Sequence, residues 1–81
     1  MQTGAAMGTF TVVFERDIDG GYVVHVPSLP GCHTQGDTFE DAQKNAQEAI
    51  EAYLLVMKDD AQEIYVPTES IVAHVLAPLP V

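Results

Sequence analysis

The sequence predicts an α+β domain in the order β-β-β-α-β: a three-stranded antiparallel meander, one helix, and a final strand parallel to the first. Three observations point there. Apolar residues alternate at period two over residues 10–14 and again over 22–26. The spacing then changes to three and four between Phe39 and Met57, the signature of one helical face. Residues 71–77 (IVAHVLA) are nearly continuously apolar and end at Pro78 and Pro80, which reads as a buried last strand.

The elements follow in chain order. Residues 1–8 (MQTGAAMG) are small and unpatterned, and are expected to form a flexible leader before a single domain over 9–81. The first strand covers TFTVVFE, with Phe10, Val12 and Phe14 facing the core. Asp19, Gly20 and Gly21 supply hairpin residues that tolerate positive φ. Tyr22, Val24 and Val26 form the matching face of the return strand, which Pro27 ends. After the rigid PSLPG turn, residues 32–35 form a short third strand.

Thr38 opens the helix. Asp41, three residues later, approximates a capping box and suits the positive end of the helix dipole. The helix then runs to about Lys58 with Ala42, Ala46 and Ala49 as a small-residue stripe, and Ile50, Tyr53 and Leu54 beyond it. A polar connector with a short apolar patch at residues 64–66 leads to the last strand, which should cross over right-handedly to lie beside the first. One sheet face then has no covering helix, with Val13, Val23 and Ala73 or Val75 leaving it partly apolar. Self-association as a homodimer or homotetramer is therefore expected.

Charge narrows the functional classes. Twelve carboxylates against three basic residues give a net charge of -9 and a pI near 4.3. Nucleic-acid affinity comes largely from Lys and Arg neutralising phosphates, and only Arg16, Lys44 and Lys58 are available, so direct nucleic-acid binding is not expected. Anionic membrane surfaces are disfavoured by the same reasoning. A basic protein is the natural complement, with electrostatics acting mainly on encounter. Cys32 is the only cysteine, which rules out an internal disulfide and fits a reducing, cytoplasmic setting.

The run GGYVVHVPSLPGCHTQGDTFEDAQKNAQEAI resembles the signature of the HicB antitoxin family. It has a doubled glycine, a strand, a proline turn, Leu-Pro-Gly-Cys, and Gly-Asp-Thr opening a helix with Glu, Ala and Asn at set intervals. The resemblance covers roughly residues 9–70. It implies a partial ribonuclease-H-like fold and a partner of HicA type, a small basic toxin that cuts messenger RNA. Many members of that family carry a C-terminal DNA-binding domain. This chain is expected to be a short form without one, so an autoregulatory role is not implied. Alongside the antitoxin stands a second reading: a stand-alone oligomeric sensing or scaffold module with no toxin.

Catalytic readings find little support. A two-metal nuclease needs converging carboxylates, and residues 10–14 carry none. His25, Cys32 and His33 lack the further ligands and spacing of a zinc site, and Cys32 and His33, being adjacent in a strand, point to opposite faces. The glycines are scattered in turns and form no phosphate-binding loop. No catalytic residue, metal ligand or cofactor site is therefore assigned. Glu15, Asp17 and Asp19, three carboxylates within five residues on an exposed hairpin, are the candidate partner contacts, and a plain solvated loop remains the other reading of them.

Overall fold

The computed structural model describes residues 7–64, 66 and 69–80. The expected leader therefore lies outside the described residues over 1–6, as do Tyr65, Pro67 and Thr68 of the connector. The core architecture is an antiparallel meander of β1 (Val13–Arg16), β2 (Tyr22–His25) and β3 (His33–Gly36), with helix α1 (Phe39–Asp59) across one face. The sheet order is β1-β2-β3, so β1 and β3 are edges.

The hairpin forms as its residues dictate. Gly20 and Gly21 take positive φ of 101° and 76°, which close the turn while Asp17 exchanges backbone hydrogen bonds of 3.0 Å with Gly20 and Gly21. The register places Phe14 opposite Val24 and Val13 opposite His25. The paired part of β1 begins four residues later than the alternation suggested, and β2 explains why. After His25 the Val26 N–H donates to the Cys32 carbonyl within the PSLPG turn, and Pro27 has no N–H to give. Phe10 and Val12 thus have no ladder partner, yet still pack their side chains on the core.

Helix α1 starts where its cap predicts. The Thr38 hydroxyl accepts the Asp41 N–H at 3.0 Å, and Glu40 and Asp41 fill the first turn. Its small face lies on the sheet, with Ala42 and Ala46 fully buried against Val24, and Val12, Phe14 and Tyr22 around them. Ala49, Ile50, Tyr53, Leu54 and Met57 continue onto a second cluster of Val26, Leu29 and Cys32. Two polar contacts fix the helix laterally. The Asn45 side-chain amide donates to the Gln35 carbonyl at 2.7 Å, and the Tyr53 hydroxyl donates to the Pro30 carbonyl at 2.7 Å.

The last element differs from expectation. Residues 71–77 join no strand ladder among the described residues, and Ile71, Val72, Val75 and Leu76 are exposed. An apolar run carries no information about which sheet it will enter, so composition alone placed it in a core it does not reach within one chain. Beyond it, Leu79 is exposed as well.

Candidate partner-binding surface

The three candidate carboxylates do not form one flat patch. Glu15 stands on the sheet face away from the helix, opposite Val23, and is exposed. Asp17 is half-buried at the start of the turn, and Asp19 is exposed at its tip beside Ile18, which is 96% exposed. Arg16, between the first two in sequence, projects to the helix face, where its guanidinium sits 5.2 Å from the centre of the Tyr22 ring.

The fold adds neighbours that the sequence reading missed. Gly21 abuts Gly36 and Asp37: a Cβ built on it would come 2.7 Å from the Gly36 carbonyl oxygen and 3.3 Å from the Asp37 Cα. The hairpin turn therefore shares one end of the domain with Asp37 and with Glu40 and Asp41 of the first helical turn, all exposed. The available signal was the pairing of Tyr22 with Gly36, which only a register could supply. That end combines an exposed apolar side chain, Ile18, with surrounding carboxylates. It suits recognition of a basic surface with an apolar anchor point.

The sheet face away from the helix carries Val13, Val23, His25 and His33, with the two histidines paired directly across β2 and β3. Cys32 is buried on the other side, and burial pushes its thiol above the ordinary value, away from the reactive thiolate. Among the described residues no group of three or more His, Cys, Asp or Glu is placed to hold a metal ion, and no helix is long and apolar enough to cross a membrane.

Lys44 and Lys58 lie on the helix beside a groove, and Arg16 is engaged with Tyr22, so among the described residues no basic stripe follows the line of a phosphate backbone. Neither DNA nor RNA duplexes should be shifted by the protein at physiological salt in an electrophoretic titration, and a sub-micromolar shift would show this wrong.

Comparison with known proteins agrees with the geometry. Residues 10–78 match the family model described as HicB_like antitoxin of bacterial toxin-antitoxin system. A UPF0150 protein of Synechocystis is 44% identical over 68 residues, spanning 84% of this chain and 84% of that protein. A UPF0150 protein of Thermoplasma acidophilum is 48% identical over 65 residues, covering 70% of this chain and 94% of the relative. A UPF0150 protein of Archaeoglobus fulgidus is 54% identical over 50 residues, 62% of this chain and 72% of that protein. The chain belongs to the HicB-like antitoxin family of bacterial toxin–antitoxin systems.

Proposed function

We propose that this protein neutralises a basic HicA-type messenger-RNA-cleaving toxin by covering it, without chemistry of its own. Membership of an antitoxin family implies a toxin partner of some kind and suggests a non-catalytic role, and the match over residues 10–78 is the observation that carries the reading. The charge of -9 makes a basic partner the electrostatic complement. We read the domain as a partial ribonuclease-H-like fold completed by a fourth strand parallel to β1, acting in the cytoplasm as a homo-oligomer. Glu15, Asp17 and Asp19 are the proposed contact residues, now joined by Asp37, Glu40 and Asp41 at the same end.

Co-expression with the protein encoded beside this gene tests the proposal. That protein should be toxic alone, be relieved by this chain, and co-purify with it. If it is harmless alone, or if relief and co-purification both fail, the antitoxin role falls and a stand-alone module remains. Reversing Asp17 and Asp19 to Lys should lower the association rate about tenfold at low salt and flatten its salt dependence, because exposed charges steer encounter. An unchanged rate in stopped-flow mixing would remove the hairpin from the contact surface.

A further inference from the structure

We propose that residues 71–77 of one copy add as a strand to the free edge of β1 in a second copy, and that two chains exchange this segment reciprocally. The proposal rests on the homo-oligomer reading above and deepens it by naming the element that joins the copies. β1 is an edge strand, so one side of its backbone has no partner in the sheet. Beside that edge lies an open groove of about 1260 Å³. Phe10, Val12 and Phe14 line one wall, and Ala46, Ile50 and Leu54 the other. Those walls are apolar, polar side chains such as Gln43, Lys44, Gln47 and Glu51 complete the lining, and no segment among the described residues fills it.

The missing piece is present elsewhere in the same molecule. Ile71 is 86% exposed, Val75 88% and Leu76 100%. The molecule measures 60 × 26 × 22 Å. The 21-residue helix accounts for only about 32 Å of that length. As a strand, seven residues span about 23 Å, enough to cover the four-residue β1 edge and reach along Phe10 and Val12, which have no ladder partner.

The approach of the chain also suits this edge. The Ala61 N–H donates to the Lys58 carbonyl at 3.0 Å and the Gln62 N–H to the Met57 carbonyl at 2.8 Å, a turn that ends the helix and reverses the chain. Ile64 then lines the groove, and Val66 reaches Gly8, where a Cβ on Gly8 would meet its methyl at 3.5 Å. The chain thus arrives at the start of β1, but the apolar segment beyond does not follow its own strand. A second copy related by a two-fold axis satisfies both exposed edges and both exposed segments with the same contact.

Charge favours a second copy over a basic partner in this groove. Residues 71–80 contain no Asp, Glu, Lys or Arg, so they bring no charge to a surface that otherwise repels its own kind. The groove lining sets Lys44 and Lys58 against Glu40 and Glu51, so it carries no net charge to draw in a basic protein.

The test uses the full chain as an equal mixture of isotope-labelled and unlabelled copies. Sedimentation should give at least twice the 8.7 kDa chain mass. Isotope-filtered nuclear Overhauser spectra should connect the methyls of Val72 and Leu76, which share one strand face, in one copy to the Phe10 and Phe14 rings of another. Leu76→Asp should raise the dimer dissociation constant about 100-fold, because it buries an unpaired charge, and should keep the helical circular dichroism. Val56→Asp, on the exposed side of the helix and outside the groove lining, should change that constant less than about threefold. A mass of one chain overturns the homo-oligomer reading and this proposal with it. An oligomer whose tail contacts are confined to its own copy, or that survives Leu76→Asp unchanged, overturns strand exchange alone.

Discussion

Ala46→Glu is expected to destabilise the fold by roughly 3 kcal/mol, enough to lower the unfolding midpoint by about 12–24 °C in a domain of this size. Ala46 is 2% exposed and packs with Ala42 and Val24 at the centre of the first core cluster. A carboxylate there meets Val12, Phe14 and Tyr22 and no hydrogen-bond donor from the sheet. Its two methylenes let it lean toward the mouth of the groove that Ala46 also lines, which keeps the cost below that of a fully enclosed charge. The total stability of an 81-residue domain is on the order of 4–12 kcal/mol, so the variant stands near the edge of folding.

The charge can be separated from the bulk by comparison with Ala46→Gln. Burial raises the folded-state pKa of the new carboxyl above its unfolded value near ~4.3. The extra loss of the Glu variant is then fully present above the folded pKa and disappears as the pH falls through it toward ~4, where both variants are neutral. Thermal unfolding followed by circular dichroism at two pH values measures this. A Glu variant that melts with the wild type at neutral pH would place Ala46 outside the core.

What could be read in advance follows from how local each signal is. Thr38 and Asp41 sit three residues apart and announce the helix start without help from the rest of the chain, and the cap hydrogen bond is made. The stripe of Ala42, Ala46 and Ala49 needs only the helical period to show which side meets the sheet. Phe10 and Val12 were rightly placed toward the core but wrongly placed in the ladder, since their pairing depends on where β2 stops. The placement of residues 71–77 was not legible, because an apolar run does not name the surface it covers, and they join no strand among the described residues. The candidate carboxylates behaved similarly. Glu15, Asp17 and Asp19 were legible as a hairpin cluster, while Asp37, Glu40 and Asp41 join them through a register 14 residues apart, Tyr22 to Gly36.

Gly36 shows the same limit, and it carries the last prediction. In the sequence it reads as a strand breaker before the helix; in the structure it is the final residue of β3, and the first turn of α1 lies directly on it. A Cβ at this position would come within 2.4 Å of the Ala42 nitrogen, 2.6 Å of its Cα and 2.9 Å of the Asp41 carbonyl carbon. All three are helix backbone atoms, held by the cap at Thr38 and by Ala42 buried on Val24, so no flexible side chain can yield. Gly36→Ala should therefore lift the start of the helix off the sheet and cost about 3 kcal/mol through overpacking. Gly20→Ala is the contrasting control. Nothing lies within 4 Å of its Cβ position, but its φ of 101° strains an L-residue, for an expected cost of about 1 kcal/mol. Urea unfolding of both variants decides the matter. The larger loss must fall on Gly36, because its new methyl meets helix backbone where that of Gly20 meets open space, and equal midpoints for Gly36→Ala and the wild type would mean that helix and β3 do not touch this closely.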